Sequence, residues 1–291
     1  MASWALVGDS ETITFDGEPF WLVAATGVGM GPVRRLLDRG PYQSGATDIG
    51  YRYDSRMINL VVAITASSLA DADTQRDTLA RVCSPASTRL ALRCTRDDGG
   101  VRQINVQVVG MMDTPVQKPD LLGAYQRVLV QMQAADPAWY DPTNLALTLD
   151  AISNSTRGYP VTVAVPVVQT PGSAIDGTDT VSYSGTVAEY PIVYLIGPLT
   201  NPVLTNVTLG LELDFTGITI ASGKTYTVDL RYGYKTVTDG DGGNAIGELT
   251  EDSDLADWRL EPGDNDINLV ASGATGASGA RLLYTLRYAG L

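Results

Sequence analysis

The stretch RLALRCTRDDGGVRQINVQVV, residues 89–109, determines the fold class. Apolar and polar side chains alternate on both sides of Asp97-Asp98-Gly99-Gly100, and a period of two residues is typical of half-buried β-strands. The turn cluster supplies the positive φ angles that a short hairpin connection needs. The stretch therefore predicts an antiparallel β-hairpin, and the chain is predicted to be mainly β.

The segments before and after this hairpin show the same alternation of apolar and polar residues, except for one segment with helical spacing. Residues 58–66 and 126–133 alternate in the same way and are predicted strands. Residues 68–82 instead place Leu69, Ala72 and Leu79 near helical spacing, begin with Ser and Asp capping chemistry and stop before a proline. The first half is therefore predicted to be β-sandwich-like with one α-helix.

The sequence contains a candidate domain boundary near its middle. Residues 136–142, DPAWYDP, contain two X-Pro steps, which favour extended backbone, around the aromatic pair Trp139 and Tyr140. A chain of 291 residues also exceeds the usual size of one domain, about 100–150 residues. We predict two domains, 1–141 and 142–291, with Trp139 and Tyr140 as the candidate domain junction.

The second half is rich in Thr, Val, Tyr and Gly and has almost no helical signal. Short strands separated by turn residues are typical of an antiparallel β-sandwich. Residues 254–259 are predicted to form a helical turn. The predicted strands are 160–168, 186–196, 202–215, 225–230, 232–237, 266–270 and 281–288.

The chain has no histidine, and this argues against most enzyme classes. Histidine is the commonest general base, the usual activator of Ser and Cys nucleophiles and a common zinc ligand. Cys83 and Cys94 alone do not make a zinc site, and we expect two reduced, buried thiols. We therefore predict that the chain is not an enzyme, with no catalytic residues, no metal site and no cofactor.

Two glycine-rich segments resemble ligand-binding motifs, but each departs from its motif at a required position. Residues 239–244, DGDGGN, resemble a calcium loop, but Asn244 and Thr250 stand where an EF-hand requires glycine and glutamate. Residues 27–31, GVGMG, resemble a phosphate cradle, but Pro32 stands at the third glycine of the fingerprint. A turn and a bend between strands are expected instead.

The net charge of −13 is unevenly distributed. Residues 1–143 hold 13 Lys and Arg against 16 Asp and Glu, a net of −3, and residues 144–291 hold 7 against 17, a net of −10. Neither half offers the basic surface that a nucleic-acid reader needs, so specific DNA binding is not expected. No apolar run could span a membrane and the N-terminus does not read as a signal peptide, which favours a cytoplasmic site of synthesis.

Several motifs, in order along nearly the whole chain, resemble the distal tail protein family of long-tailed bacteriophages. The first half has an N-terminal strand pair, a polar loop, a basic-edged strand, one helix and a hairpin. The second half carries stretches similar to the family's GP-x-x-NP-x-I-x-N and L-x-PG-x-N patterns. The segments are 39–46 (RGPYQSGA), 56–66, 68–82, 135–140 (ADPAWY), 197–206 (GPLTNPVLTN) and 255–268, centred on WRLEPGDN at 258–265.

The resemblance implies a structural role in the virion, at the tail tip or baseplate. Family members form hexameric rings below the tail tube, with N-terminal domains that close the ring and galectin-like C-terminal β-sandwiches that project outward. The implied partners are other copies of the chain, the tail tube protein above, the tail hub protein below, the tape-measure protein in the channel and receptor-binding or side-fibre proteins on the outer domain. DNA would pass through without specific binding, and assembly would take place in the host cytoplasm.

The ring that the resemblance implies needs a contact surface between neighbouring copies, and the sequence offers candidate residues for it. The basic pairs Arg34-Arg35 and Arg52/Arg56 lie in the less acidic half, and we expect them to pair with acids on the next subunit. Acidic side chains of residues 1–143 are expected to line the channel and repel DNA. The candidate ring-interface residues are Arg34, Arg35, Tyr42, Gln43, Arg52 and Arg56.

Two other functions fit the same residues. A carbohydrate-binding adhesion module would use exposed aromatic side chains, although tyrosines that alternate on strands are more often half-buried packing. A carboxylate-dependent glycosidase needs only two acids, although a solvated loop explains the acidic cluster better. The aromatic candidates are Tyr183, Tyr190, Tyr194, Tyr232, Tyr234 and Trp258, and the acidic ones are Glu251, Asp252, Asp254 and Asp257.

Overall fold

The computed structural model describes residues 2–9, 11–87, 90–110, 125–143, 145–150, 174–275 and 278–291. They form two compact units. Unit 1 comprises Met1–Pro142 together with Tyr288–Leu291, and unit 2 comprises Thr143–Arg287. The predicted division after residue 141 had placed residues 288–291 in the second domain.

Unit 1 is built on one long, strongly bent antiparallel sheet. The strand order is β2-β1-β8-β9-β10-β7-β4-β3, and β9 meets β10 at Val108–Met132 and Gln107–Gln133. A separate two-stranded ribbon, β5-β6, stands apart from this sheet. The elements are β1 (Ser3–Val7), β2 (Thr12–Thr14), β3 (Asp16–Gly17), β4 (Phe20–Thr26), β5 (Val33–Asp38), β6 (Thr47–Tyr53), β7 (Arg56–Thr65), α1 (Leu69–Val82), β8 (Leu90–Thr95), β9 (Val101–Val108), β10 (Tyr125–Ala134) and β11 (Trp139–Tyr140).

The hydrophobic core of unit 1 draws on both halves of the bent sheet. Leu92 and Ile104 come from β8 and β9, and Leu60 and Val128 come from β7 and β10, all of them fully buried. Each belongs to an alternating run, so one face of its strand is apolar and the other is polar. The prediction of a sandwich-like, mainly β first half is confirmed.

The helix α1 begins and ends where its capping residues predict. The Ser68 side chain accepts a hydrogen bond from the Asp71 backbone N–H at 3.1 Å, the usual N-cap interaction. Hydrogen bonds from the Ser67 backbone, and from the Gln75 and Ser67 side chains, lower the pKa of Asp71, so its carboxylate stays ionised in the first turn. Ala72 and Leu79 are buried, and within the described residues α1 is the one α-helix.

The hairpin predicted around residues 97–100 is present. Strands β8 and β9 pair in register from Leu90–Val106 to Thr95–Val101. Gly99 has a φ of 83°, and the Arg96 backbone N–H donates to the Gly100 carbonyl at 2.9 Å to close the turn. The Gly99 backbone conformation is one that glycine adopts at little cost.

Unit 2 contains two antiparallel sheets that share one core. Their strand orders are β12-β21-β14-β18-β19 and β13-β20-β15-β16, with β17 beside β15. Val193 and Leu282 from the first sheet and Leu204 and Leu269 from the second are fully buried in a single cluster, the arrangement of a β-sandwich. The strands are β12 (Leu145–Asp150), β13 (Ala174–Tyr183), β14 (Ile192–Ile196), β15 (Leu199–Asn206), β16 (Leu211–Asp214), β17 (Thr219–Ile220), β18 (Thr225–Asp229), β19 (Thr236–Thr238), β20 (Gly263–Ser272) and β21 (Gly279–Tyr284), before β22 (Arg287–Tyr288).

Two of the local predictions for the second half were wrong. The predicted strand 202–215 is a hairpin, because Gly210 turns back with a φ of 66° and donates to the Asn206 carbonyl at 2.8 Å. Residues 232–237 are mostly a turn, with a strand only from Thr236. Residues 254–259 contain the predicted helical turn, because the Trp258 backbone N–H donates to the Asp254 carbonyl at 2.8 Å, and a short 3-10 helix lies at Ile246–Glu248. The predicted strand 160–168 lies outside the described residues.

Within the described part of the chain, no helix has the length and apolar character that crossing a lipid bilayer requires.

Both cysteines are buried free thiols, as expected. Burial raises the pKa of Cys83 to about 12 and also raises the pKa of Cys94. At pH 8 both therefore stay protonated, and a protonated thiol is a poor nucleophile.

We expect a thiol reagent such as iodoacetamide at pH 8 to leave both cysteines unmodified in the folded chain. The same reagent should modify both in urea, because unfolding returns each thiol to an ordinary pKa. Intact mass measurement after timed quenching checks this, and rapid modification of the native chain would contradict it.

Candidate functional site

The ribbon formed by β5 and β6 carries five of the six predicted interface residues on its strands or tip. It pairs from Val33–Tyr53 to Asp38–Thr47, with a register shift between Leu36 and Leu37. Every residue of β5 and most of β6 are exposed to solvent. Among the described residues no other strand pairs with this ribbon, and an isolated two-stranded ribbon is at best marginally stable in water, so this one is suited to bind a partner surface.

One face of the ribbon is charged. Arg34 and Arg52 lie directly opposite each other, and like charges in that position repel. Asp54 relieves the repulsion, since its two carboxylate oxygens lie 3.0 Å from the Arg34 Nε and 3.5 Å from the Arg52 Nε. Two exposed guanidinium groups thus share one carboxylate, which leaves this face with a net positive charge.

The other face is aromatic. Tyr51 and Tyr53 meet edge to face with their ring centroids 5.7 Å apart. The Arg35 guanidinium lies 5.8 Å from the centre of the Tyr51 ring and forms an ion pair with Asp48 at 2.9 Å. Burial and the neighbouring Tyr51 raise the pKa of Tyr53, so its phenol is neutral at physiological pH. This face offers flat apolar area edged by hydrogen-bonding groups.

Tyr42 and Gln43 lie at the tip of the ribbon and have different roles there. The Gln43 Oε1 accepts from the Gly40 backbone N–H at 3.1 Å, and its Nε2 donates to the Thr47 hydroxyl at 2.9 Å. Gln43 therefore shapes the tip loop. Tyr42 is fully exposed, with a relative exposure of 102%, and it is available to a neighbouring molecule.

Arg56 differs from the other predicted interface arginines, because it is buried, with 2% of its surface exposed. Its Nη1 donates to the carbonyls of Gly29 at 2.7 Å and Gly27 at 3.3 Å. Its Nη2 donates to the Ala289 carbonyl at 2.7 Å. Burial lowers the pKa of Arg56, while the Asp136 carboxylate raises it. Arg56 therefore stabilises unit 1, and we leave it out of the proposed interface.

These bonds make Arg56 the anchor of the bend that leads into the ribbon. The Gly31 backbone N–H also donates to the Ala289 carbonyl at 3.1 Å. A side chain at Gly27, where φ is 79°, would collide with the Met57 carbonyl, and one at Gly31 would come 2.8 Å from the Arg56 Nη2. Close packing thus requires glycine at position 27, against the Met57 carbonyl, and at position 31, against the Arg56 guanidinium, in this bend between strands.

The predicted junction pair belongs to the structure of unit 1. Trp139 is completely buried in its core and meets Trp4 edge to face at 6.4 Å. The Tyr140 hydroxyl donates to the Asn105 Oδ1 at 2.7 Å and accepts from the Gln103 Nε2 at 2.9 Å. Through these contacts Trp139 packs into the core of unit 1 and Tyr140 is hydrogen-bonded to β9.

The acidic and glycine-rich loops of unit 2 have structural explanations. The Asp254 carboxylate accepts from the Glu212 backbone N–H at 3.2 Å, and Trp258 is completely buried. Asp239 accepts from the backbone N–H groups of Asp241 and Gly243, which closes a turn. Among the described residues, no group of three or more Cys, Asp or Glu side chains could hold a metal ion.

The architecture of the whole chain matches that of a known phage protein. The crystal structure of SPP1 Dit, described as a paradigm of the hub adsorption apparatus in phages that infect Gram-positive bacteria, covers 98% of this chain and 98% of its own. The TM-score is 0.65 and the sequence identity is 10%. The chain has the SPP1 Dit fold. The resemblance to the distal tail protein family inferred from sequence is confirmed at this level.

A second structural likeness is weaker. A chain of the phage P2 baseplate, in its activated conformation with calcium, also aligns over 98% of both chains, with a TM-score of 0.49 and 9% identity. At that score the similarity adds nothing to the SPP1 Dit match. No protein-family model and no curated protein sequence matches the chain.

Replacing Arg56 with Ala should destabilise unit 1 by about 3 kcal/mol or more, because charge-assisted hydrogen bonds contribute about 1.5–3 kcal/mol each and several are lost. The matched change Arg52→Ala should cost less than about 1 kcal/mol, since it removes only an exposed ion pair. Thermal unfolding of the two variants under identical conditions measures the difference. Equal unfolding temperatures would show that the Arg56 contacts contribute no more than a surface pair.

Proposed function

We propose that the chain is a structural subunit of a phage tail, and that six copies form a ring at the distal end of the tail tube. The observation that carries the proposal is the exposed β5-β6 ribbon on a chain with the SPP1 Dit fold. A ring needs a surface on each copy that fits a different surface on the next, so that rotation closes the assembly. A projecting ribbon with unsatisfied edges is suited to that task.

Unit 1 would build the ring around a channel, and unit 2 would supply an attachment surface. In this arrangement the tail tube protein lies above the ring, the tail hub protein lies below it, and the tape-measure protein and DNA pass through. Receptor-binding or side-fibre proteins would bind unit 2. The net charge of −3 in residues 1–143 is compatible with DNA passing through without being held.

Burial of apolar side chains would drive the ribbon onto its neighbour. Leu37 is 60% exposed and Ile49 is 64% exposed, although both are large hydrophobic residues. Covering apolar surface contributes about 25 cal/mol per Å², and the free chain leaves this contribution unrealised. Tyr51 and Tyr42 add aromatic area of the kind that is enriched at protein interfaces.

Charge would set the register of the contact. Arg34 and Arg52 share Asp54, so one carboxylate from the next copy would balance the second guanidinium. Arg35 is already paired with Asp48 and stacked near Tyr51. Interfacial charges of this kind contribute more to orientation and specificity than to affinity. The proposed interface therefore consists of Arg34, Arg35, Tyr42 and Arg52, with Gln43 shaping the tip.

A non-enzymatic role is part of the proposal. The chain has no histidine, and the acidic loop of unit 2 directs Asp254 to a backbone N–H and buries Trp258 in the core. These roles account for Asp254 and Trp258 among the residues that suggested a carboxylate-dependent glycosidase. A structural subunit needs rigid units and complementary surfaces, which the two sandwiches provide.

Native mass spectrometry of the purified chain at micromolar concentration should show a hexamer, because the ribbon has a receiving surface only when other copies are present. The same sample mixed with purified tail tube or hub protein tests assembly on a template. A chain that stays monomeric in both conditions would contradict the proposal.

Changing Leu37 and Ile49 to Glu should abolish the hexamer and leave the fold intact, because both side chains are exposed in the free chain and would be buried as charges in the ring. Val207→Glu is the matched control, since Val207 is also more than half exposed but lies in unit 2. Circular dichroism verifies folding and native mass spectrometry counts the copies. Loss of the hexamer in the control as well, or its persistence in the double variant, would show that the ribbon is not the interface.

A further inference from the structure

A second exposed feature lies in unit 2, on the turn between β18 and β19. We call residues 229–235 the tyrosine turn. It presents Tyr232 and Tyr234 to solvent with 67% and 60% of their surfaces exposed. Large aromatic side chains cost free energy when left in water, so two of them on one turn require an explanation.

The tyrosine turn is held in one conformation by contacts on both sides. The Arg231 Nε and Nη2 donate to the two carboxylate oxygens of Asp229 at 3.0 and 2.7 Å, and the guanidinium lies 4.5 Å from the centre of the Tyr234 ring. The Tyr234 backbone N–H donates to the Arg231 carbonyl at 3.1 Å, and Gly233 has a φ of 84°. This fork-shaped pair and the stacked guanidinium restrict the Tyr234 side chain.

A different set of contacts restrains Tyr232. Its hydroxyl donates to the Tyr190 hydroxyl at 2.9 Å, and the two ring centroids are 4.5 Å apart. The Lys235 ammonium lies 4.2 Å from the centre of the Tyr190 ring and donates to the carbonyls of Leu255 and Ala256 at 3.3 and 2.9 Å. Burial and the hydrogen bond with Tyr232 raise the pKa of Tyr190, so its hydroxyl stays neutral.

An exposed but restrained aromatic pair is the arrangement that a binding site uses. Side chains that are ordered before a ligand arrives lose little conformational entropy when it binds. The contacts that restrain the two rings come from residues beside or beneath the turn, and they leave more than half of each ring accessible. The tyrosine turn is therefore preorganised to contact something outside the chain.

The size and surroundings of the turn favour a saccharide over a protein. A stable protein interface buries about 800 Å² on each partner, far more than two tyrosines provide. In the described part of unit 2, the other exposed large hydrophobics are Val207, Ile246 and Val270, which lie on other elements. A sugar ring needs less, since its C–H face packs on one aromatic ring and its hydroxyls take hydrogen bonds from adjacent polar groups.

The charges around the turn further restrict the ligand. Cations and carboxylates alternate there and compensate each other, so the local surface attracts neither sign strongly, and unit 2 as a whole is acidic. An anionic polymer would be repelled at long range by that acidity. The cations are Arg231, Lys235 and Arg259, and the carboxylates are those of Asp229, Asp257 and Glu261.

We propose that the tyrosine turn is a binding site for a neutral saccharide, with Tyr232 and Tyr234 as the stacking platform and the Asp229–Arg231 pair as the hydrogen-bonding group beside it. The site is separate from the ribbon of unit 1. It would give the chain a direct contact with a polysaccharide surface, whether or not a ring forms.

The test uses the full chain and an array of neutral oligosaccharides built from hexoses and N-acetylhexosamines. The unmodified chain should bind at least one class, and Y232A/Y234A should reduce that signal at least tenfold. Tyr125→Ala, which removes a partly exposed tyrosine from β10 of unit 1, is the matched control and should bind normally. Y232F/Y234F keeps both rings and should retain most of the binding, which separates stacking from loss of structure.

Three results would overturn the proposal. The first is no neutral saccharide bound by the unmodified chain at concentrations up to about 1 mM. The second is binding that Y232A/Y234A leaves unchanged, or that Tyr125→Ala reduces equally. The third is a tail protein that binds through these tyrosines while no saccharide does, which would assign the turn to a protein partner. None of these results depends on the hexamer, so they leave the ring proposal to its own tests.

Discussion

The hydrogen bonds of the Arg56 guanidinium are the constraint on which unit 1 and its projecting ribbon depend. Backbone carbonyls from two distant parts of the chain accept hydrogen bonds from the Nη1 and Nη2 groups of this buried cation, which offsets part of the cost of its burial. Those carbonyls belong to the bend of residues 27–31 and to Ala289. Satisfying one side chain thus fixes the base from which β5 departs and ties residues 288–291 to unit 1.

Most of the fold could be predicted because the local patterns agree with the tertiary structure. The hairpin of β8 and β9, the helix with its Ser68 cap and the mainly β character all follow from alternation and capping residues. The failures in unit 2 have a common cause. In 202–215 apolar residues continue through a turn, so periodicity alone misses the reversal that Gly210 and Asn206 make.

The candidate sites were harder to predict, because exposure depends on contacts between residues far apart in the chain. Arg52 and Arg56 are four residues apart and look alike in sequence, yet one is exposed and the other is buried. The carbonyl of Ala289, more than two hundred residues away, decides the difference. Similarly, Tyr183 and Tyr232 were both aromatic candidates, and only the sandwich shows that the first is core and the second is surface. Glycines at 27 and 31 were the one local sign of a crowded bend.

The return of residues 288–291 to unit 1 also orders events during synthesis. Unit 2 is inserted in the sequence between two parts of unit 1, so the ribosome must finish all of unit 2 before the acceptor for the Arg56 Nη2 exists. At about 5–20 residues per second, this interval lasts on the order of 10 s. During that time the sheet of unit 1 can form while the bend beneath the ribbon lacks its last ties. Until residue 289 is added, the nascent chain therefore lacks the acceptor of the Arg56 Nη2 group, and its bend of residues 27–31 is less constrained.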